Sequence, residues 1–222
     1  DEVKRCRDSG YPLVKIKVSG DIDLDRRRIE AGIRAVGDAA HLAVDANGAL
    51  RPAQAIEWTA AIDALRLAWI EEPAAPLDYA THAALASTTR SSIATGENLM
   101  SLDDALNLLR YGGLRPDHDR LQFDVSLAYG IPEYARIIAA YEAAGWSRRA
   151  FWPHAGHLFA AQVVAGLGLA CHEAAPDPTL PYGGLWDGVL VTEGRARIPE
   201  VPGVGFERKA NLFAVLEPLG RA

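Results

Sequence analysis

The feature that most constrains this chain is an acidic residue that recurs at a constant interval of 26 residues: Asp45, Glu71 and Glu97. Each acid follows a short apolar run that is typical of a buried strand. One strand, one helix and two short loops occupy about that many residues in a parallel α/β protein. The spacing therefore predicts that the three acids lie at one level on adjacent parallel strands, at their carboxyl ends.

Three carboxylates that converge in this way cannot all stay ionised without a cation. Anionic oxygens are the ligands that a hard cation such as Mg²⁺ prefers, and three of them leave part of its coordination shell open for substrate and water. We therefore predict that Asp45, Glu71 and Glu97 bind Mg²⁺. The competing interpretation is three unrelated surface acids next to turns.

Apolar strand candidates alternate with amphipathic helical windows as far as residue 175. The predicted strand ends lie near Lys17, Asp45, Glu71, Glu97, Gln122, Pro153 and Glu173. This alternation predicts a parallel sheet with helices outside it, and polar residues at every strand end favour a barrel over a doubly wound sheet. We expect residues 1–175 to form strands 2 to 8 of a (β/α) barrel, with the first strand preceding Asp1. Residues 176–222, rich in Pro and Gly, are expected to form a C-terminal extension that packs on the barrel or on a further domain.

Composition excludes several classes of protein. With 49% hydrophobic and 23% charged residues, the chain has the profile of a soluble globular protein. No basic run indicates a nucleic-acid surface, and no apolar stretch reaches membrane-spanning length. Two cysteines without a CxxC pattern, Cys6 and Cys171, favour free thiols in a reducing compartment, so the cytoplasm is the expected location.

A pair of lysines, Lys15 and Lys17, lies within the predicted strand VKIKV. Residues two apart in a strand point to one face, so both ammonium groups are expected to enter the mouth of the barrel. Two lysines held close lower each other's pKa, and a lysine tuned in this way can act as a general base. The alternative is a solvated strand edge.

A second acid–base group is predicted on the strands that follow Glu97. An Asp–His pair fixes the imidazole tautomer and raises its basicity. Asp119 is the candidate acid, although it lies in a charged stretch with two others, Asp117 and Asp124. His154 follows a predicted strand end, whereas His157 opens the next helix, where a histidine is more often structural. We favour Asp119 with His154 and expect His157 to bind the substrate, and the choice between the two histidines stays open.

Two further polar residues are candidates for the site. Glu173, at the seventh predicted strand end, would donate a hydrogen bond to a developing oxyanion if burial raised its pKa. Alternatively, Glu173 is an ordinary acid at the end of a strand, with its side chain in solvent. Asn47, two residues after Asp45, would reach the substrate or a bound water, or else cap a loop.

These groups together indicate one class of reaction. A bound cation withdraws electrons from a substrate carboxylate and makes the adjacent C–H more acidic. Lys17 on one face or His154 on the other would remove that proton, and Lys15 and Glu173 would stabilise the resulting enediolate. Return of a proton gives racemisation or epimerisation, whereas loss of hydroxide gives dehydration to a 2-keto acid.

The motifs resemble those of the enolase superfamily, specifically its mandelate racemase-like subgroup. The resemblance rests on KIK at 15–17, VDAN at 44–47, IEEP at 70–73, TGEN at 95–98, LQFD at 121–124 and WPHAGH at 152–157. It implies a modified TIM barrel with Mg²⁺ on the three acids, Lys17 as base, Asp119–His154 as dyad and Glu173 as the acid that stabilises the enolate. The WPHAGH segment resembles that of acid-sugar and tartrate dehydratases. Dehydration of a sugar acid or hydroxy-dicarboxylate is therefore the leading expectation, and a racemase or epimerase of a 2-hydroxy acid is the alternative.

Members of this superfamily carry an α+β capping domain before the barrel, and the sequence has no counterpart of it. An interpretation of another class is therefore a catalytically incomplete barrel fragment. A small carboxylate substrate is the expected partner, and the chain is expected to form a homo-oligomer without nucleic-acid or membrane partners.

Overall fold

Short apolar runs between the helices form a parallel sheet at the centre of the fold. In the computed structural model, which describes residues 2–175, 181 and 183–221, five strands pair in chain order. They are Val14–Lys17 (β1), Leu42–Asp45 (β2), Ile70–Glu71 (β3), Ile93–Thr95 (β4) and Arg120–Leu121 (β5). Every pairing between them is parallel, which confirms the predicted class of sheet.

Helices alternate with these strands in the order that the periodicity predicts. Within residues 2–175 they are Glu2–Asp8 (α1), Ile22–Val36 (α2), Pro52–Ile62 (α3), Tyr79–Thr88 (α4), Leu102–Tyr111 (α5), Ile131–Ala143 (α6) and Leu158–Leu167 (α7). Side chains fix several of their starts: Asp21 accepts a hydrogen bond from Leu24 N at the start of α2, and Ser101 accepts one from Asp104 N at the start of α5.

The last two predicted strands do not form ladders. Phe151 makes a single bridge to Leu121 of β5, and Ala170 N donates to Phe151 O at 3.1 Å. Pro153 lacks an N–H and therefore interrupts pairing after Trp152. Among the described residues the sheet thus has five strands, and two further segments continue it through isolated backbone contacts.

The two faces of the strands have different surroundings. Leu42 and Val44 of β2 belong to a buried cluster that includes Trp58 of α3, so this face packs on the helices. Ala43 belongs to a separate cluster on the opposite face. Because side chains alternate along a strand, Asp45 points to the same side as Ala43, away from the helices.

A buried carboxylate fixes the loop after β1. Asp25 is fully buried and accepts hydrogen bonds from Ser19 N at 2.9 Å, Gly20 N at 2.7 Å and Trp58 Nε1 at 3.0 Å. These bonds tie the loop to α2 and α3, directly after Lys17 at the carboxyl end of β1.

After residue 180 the described chain contains two short strands and a helix: Val191–Thr192 (β6), Arg195–Ala196 (β7) and Ala210–Leu216 (α8). Trp186 and Leu212 form a buried cluster with Leu158 and Ala161 of α7, so this segment packs on the helix. Of the predicted extension, residues 176–180, 182 and 222 lie outside the described part. Among the described residues, no helix combines the length and apolar character needed to cross a membrane.

Acid is expected to destabilise the protein through His172. Burial of this half-buried side chain disfavours the charged ring and lowers its pKa to about 4. The hydrogen bond that its Nε2 donates to His157 O at 3.0 Å opposes this shift only in part. Between pH 6.5 and 4 the unfolded chain binds a proton that the folded protein does not, so the free energy of unfolding falls as pH falls. We expect a loss of about 2 kcal/mol over this window, after allowance for partial exposure. Urea titrations at several pH values measure it, and His172→Gln should flatten the curve; an unchanged curve would contradict the assignment.

Candidate active site

Register places three polar side chains at one level of the sheet. Lys17 of β1 is the partner of Asp45 of β2, and Asp45 is the partner of Glu71 of β3. Partners on parallel strands point to the same face, and Lys15, two residues before Lys17, shares that face. The predicted convergence of the lysines with the first two acids is therefore confirmed.

Glu97 does not lie at the strand level shared by Asp45 and Glu71. The β4 partner of Glu71 is Ala94, three residues before Glu97, so the equal-level prediction is wrong for the third acid. The chain turns at Gly96, whose φ is +124°. A Cβ atom there would lie 3.2 Å from Phe123 N, so a residue with a side chain would be both strained and crowded.

The three acids nevertheless meet. One oxygen of each of Asp45, Glu71 and Glu97 lies within 4.8 Å of the others, and all three side chains are buried. Buried carboxylates at this separation repel one another strongly unless a cation or proton lies between them. The arrangement can hold a metal ion, and its all-oxygen donor set suits a hard divalent cation.

Neutral N–H donors hold one oxygen of each acid. Asn47 donates to two of the acids, from its N to Asp45 Oδ1 at 2.7 Å and from its Nδ2 to Glu97 Oε1 at 3.2 Å. Glu71 Oε2 accepts hydrogen bonds from Trp69 Nε1 at 2.9 Å and from Gln122 Nε2 at 2.7 Å. Within the described chain the second oxygen of Glu97, Oε2, is buried without a hydrogen-bond partner. A buried acceptor without a partner is unfavourable, and a bound cation would satisfy it.

Both lysines contact the acids. Lys15 Nζ contacts Glu71 Oε1 and lies 2.6 Å from Glu173 Oε1, whereas Lys17 Nζ lies 2.6 Å from Asp45 Oδ2 and contacts the side chain of Asn47. Burial alone would lower the pKa of Lys15, but the charges of Glu173 and Glu71 hold that pKa above its ordinary value. The expected depression is therefore wrong for Lys15, because carboxylates surround its ammonium group.

The cluster of acids and lysines carries more negative than positive charge. Burial raises the pKa of Glu71 to about 8, with the negative charges of Asp45 and Glu173 acting in the same direction and Lys15 opposing them. Asp45 is buried too, but its hydrogen bond from Lys17 and the charge of Lys15 keep the pKa of its carboxyl below the ordinary value. Two lysines thus do not fully balance this cluster, which supports a role for a further cation.

The acid that contacts the histidines is Asp124, not Asp119. His154 Nδ1 lies 3.3 Å from Asp124 Oδ2, and His157 Nε2 lies 3.2 Å from Asp124 Oδ1. Asp119 instead accepts a hydrogen bond from Ile93 N at 2.8 Å and pairs with Arg115 at 2.8 Å. The predicted Asp119–His154 pair is wrong, because Asp119 precedes β5 at its amino end.

The sequence contains a signal that selects Asp124. The other acids of the cluster follow a strand, and Asp124 follows the predicted strand that ends near Gln122, whereas Asp119 comes before it. Asp124 is buried, and hydrogen bonds from the two histidines and from Ser126 N overcome the effect of burial and hold the pKa of its carboxyl far below the ordinary range. The residue is therefore a permanent anion behind the imidazoles.

The two histidines differ in what their free nitrogens face. His157 caps α7, because its Nδ1 accepts a hydrogen bond from Ala160 N at 3.0 Å, so its Nε2 carries the proton and faces Asp124. His154 has its Nε2 directed to the acid cluster, 3.6 Å from Glu97 Oε2. Burial alone would lower the pKa of His154, but the hydrogen bond to Asp124 and the charge of Glu97 outweigh burial, so the pKa lies above the ordinary value.

Glu173 lies at the edge of the cluster, at a point where the sheet has no ladder. Its Oε2 accepts a hydrogen bond from Ala155 N at 2.9 Å, and its Oε1 pairs with Lys15. Both oxygens therefore act as acceptors, whereas the predicted oxyanion role needs a protonated donor. These contacts instead hold the ammonium group of Lys15 beside the acids.

The chain is similar to known proteins in sequence and in structure. Residues 1–211 match the family described as enolase C-terminal domain-like. A 3,6-anhydro-alpha-L-galactonate cycloisomerase of Streptomyces coelicolor is 31% identical over 225 residues, which cover 91% of this chain and 55% of that protein. An L-talarate/galactarate dehydratase of Salmonella typhimurium is 34% identical over 133 residues, which cover 60% of this chain and 32% of that protein.

A solved structure also matches this chain in fold. The crystal structure of an L-talarate dehydratase from Polaromonas, complexed with Mg and L-glucarate, matches with a TM-score of 0.74 at 29% identity. The match covers 95% of this chain and 56% of that protein. The chain thus spans about half the length of the solved structure and of the cycloisomerase, and a smaller part of the Salmonella dehydratase.

Proposed function

Because the chain belongs to the enolase C-terminal domain-like family, we propose that it is an Mg²⁺-dependent enzyme that removes the proton alpha to a carboxylate. The proposed outcome is dehydration of a sugar acid or hydroxy-dicarboxylate to a 2-keto acid. The observation that carries the proposal is one arrangement: three buried acids with a lysine pair on one side and a histidine, backed by Asp124, on the other.

Asp45, Glu71 and Glu97 would hold the cation through the oxygens that face away from the neutral N–H donors: Glu97 Oε2, which has no hydrogen-bond partner among the described residues, and Asp45 Oδ2 and Glu71 Oε1, which the cation would share with the lysines. The cation, when bound, supplies electron withdrawal from the substrate carboxylate and so acidifies the adjacent C–H. The fully buried Asp45 and Glu71 and the nearly buried Glu97 keep water from the interior side of the cluster, which strengthens these electrostatic effects.

The lysines would act on the first face of the substrate. Lys17 would take the alpha proton at Nζ, and the 62% exposure of its side chain, which leaves it accessible to a substrate, supports this role. Lys15 is mostly buried between Glu71 and Glu173 and keeps its proton, so its fixed positive charge would stabilise the enediolate.

His154 would act on the opposite face. Its Nδ1 is held by Asp124 and its Nε2 faces the cluster, and the raised pKa of its ring favours the imidazolium. An imidazolium at this place can give a proton to a departing beta-hydroxyl, so that water leaves and the enol product rearranges to a 2-keto acid. His157, which caps α7 and contacts Asp124, would position this carboxylate.

A racemase or epimerase of a 2-hydroxy acid is the second candidate. The same two-sided arrangement of Lys17 and His154 would return a proton to carbon if the substrate had no leaving group in reach of His154. The dehydratase similarities in sequence and structure favour dehydration.

The test is a screen of aldonic and aldaric acids with Mg²⁺, read in two ways. Formation of 2-keto acid, detected as its semicarbazone, supports dehydration. Exchange of the alpha proton in D₂O without a keto product, followed by NMR, supports racemisation or epimerisation. Binding of Mg²⁺ without either reaction would instead support the catalytically incomplete fragment.

Substitutions on the two faces should separate the two steps. Lys17→Met removes the proposed base, so we expect both alpha-proton exchange and product formation to fall by about 10²–10⁴-fold. His154→Asn removes the proposed acid, so exchange should persist in D₂O while product formation falls by a similar factor. NMR of the substrate measures exchange, and the keto-acid assay measures product. Loss of exchange in His154→Asn with retention in Lys17→Met would reverse the assignment of the two faces.

A further inference from the structure

Glu72, next to Glu71, has a buried carboxylate that the proposed reaction does not use. Its backbone φ is +37°, an unfavourable value for a residue other than glycine. Two backbone bonds hold this conformation: Glu72 N donates to Ala94 O and Gly48 N donates to Glu72 O, both at 2.9 Å. Such strain persists only where the surroundings enforce it, and it often marks a functional site.

The strained turn directs the Glu72 carboxylate to a neighbour of the third acid. Asn98 Nδ2 lies 3.0 Å from Glu72 Oε1 and 2.9 Å from Glu72 Oε2. The same nitrogen lies 3.3 Å from Glu97 Oε1. An amide nitrogen has two hydrogens, so Asn98 can donate to both carboxylates at once and link Glu72 to Glu97.

This link bears on which oxygen of Glu97 faces the cluster. Asn98 is an exposed side chain, and without a buried partner its amide would be free to rotate in solvent. Held by Glu72, the amide joins Asn47 Nδ2 in bonding Glu97 Oε1, and Glu97 Oε2 is left buried without a hydrogen-bond partner among the described residues. That is the oxygen nearest to His154 Nε2, at 3.6 Å.

We propose that Glu72 is a positioning residue for Glu97: it fixes Asn98, and Asn98 turns Glu97 so that Oε2 is available to a divalent cation. The inference rests on the proposed Mg²⁺ site and adds a residue outside its three acids. Groups that orient a metal ligand in this way are worth about 10–100-fold in metal affinity.

The test is a double-mutant cycle on metal binding alone, without substrate. Isothermal titration with MgCl₂ gives the dissociation constant for the unmodified protein, for Glu72→Gln, for Asn98→Ala and for the double variant. Glu72→Gln keeps the volume of the side chain but offers Asn98 one acceptor oxygen instead of two. We expect each single variant to weaken Mg²⁺ binding about tenfold, and the double variant to bind no more weakly than the worse single one, because both changes break one link.

A simple effect of charge would give a different result. Were Glu72 to act on the cation only through its charge, the two losses would multiply in the double variant to about a hundredfold, which overturns the proposal. Unchanged affinity in Glu72→Gln overturns it too. Asp25→Asn is the matched control, because it alters another fully buried, hydrogen-bonded acid; it should lower the melting temperature in EDTA without changing Mg²⁺ affinity.

Two further outcomes have a defined meaning. If Glu72→Gln does not fold, Asn98→Ala decides alone, because truncation of an exposed side chain leaves the core intact; unchanged Mg²⁺ affinity in it overturns the proposal. If the unmodified protein binds no Mg²⁺, the proposed function and this inference both fail. Binding in the unmodified protein with unchanged variants removes the inference only.

Discussion

Removal of divalent cations with EDTA is expected to abolish the activity, and Mg²⁺ should restore it. The three buried acids have more negative charge than Lys15 and Lys17 balance, so cation binding should also stabilise the fold. At a concentration one hundred times its dissociation constant, Mg²⁺ would add about 2.7 kcal/mol to the free energy of unfolding. For a chain of this size that corresponds to a rise of about 5–10 °C in melting temperature. Differential scanning fluorimetry with and without MgCl₂ measures the shift.

Glu71→Gln should remove both effects of Mg²⁺. The amide is isosteric but neutral, and it faces Lys15 and the two other acids, so the cation loses one of three anionic ligands. We expect activity to fall on the order of a thousandfold or more and the Mg²⁺-dependent thermal shift to disappear. Glu30→Gln is the control, because this acid lies on the surface of α2 in an exposed pair with Arg26 and should leave both quantities unchanged. An undiminished thermal shift in Glu71→Gln would show that the cation binds elsewhere.

Asp124→Asn is expected to reduce kcat by about 10³–10⁴-fold, as loss of the carboxylate behind a catalytic histidine does in other enzymes. The carboxylate of Asp124 lies 3.3 Å from His154 Nδ1 and raises the pKa of that ring. Without it the imidazolium is less stable, and the tautomer that directs Nε2 to the substrate is no longer enforced. The affinity for Mg²⁺ should change little, because Asp124 is not one of the three acids of the cluster.

The pH profile gives a second measurement on the same variant. A histidine that donates a proton is active below its pKa, and Asp124→Asn lowers that pKa. The alkaline limb of kcat should therefore move to lower pH. An unmoved limb would mean that another group donates the proton.

Asp119→Asn is the matched comparison, five residues earlier in the chain. Asp119 bonds to Ile93 N and Arg115 at the amino end of β5, so its loss should weaken the fold. We expect about 2 kcal/mol of destabilisation, less than for a wholly buried pair because Arg115 is partly exposed. The kcat of the folded enzyme should remain close to that of the parent. A loss of kcat as large as that of Asp124→Asn would return Asp119 to the active site.

Much of the fold was readable in the chain because its signals are local. The helix Leu102–Tyr111 has such signals at both ends, since Ser101 caps its start and glycines follow its end. The two strands predicted to end near Pro153 and Glu173 do not form ladders, because apolar runs show burial but not pairing. A ladder needs consecutive hydrogen bonds with a neighbour, and Pro153 removes a donor where one would be required.

The sequence by itself determined which acids could form a metal site, because a regular interval of strand and helix brings strand ends together whatever their detailed register. It also determined that Lys15 and Lys17 share a face, because side chains alternate along any strand. Only the tertiary structure decided that Asp124 is the partner of His154, that Glu97 arrives beyond the turn at Gly96, and that carboxylates hold Lys15 in its charged form. These are distances between segments remote in the chain, and local periodicity carries no information about them.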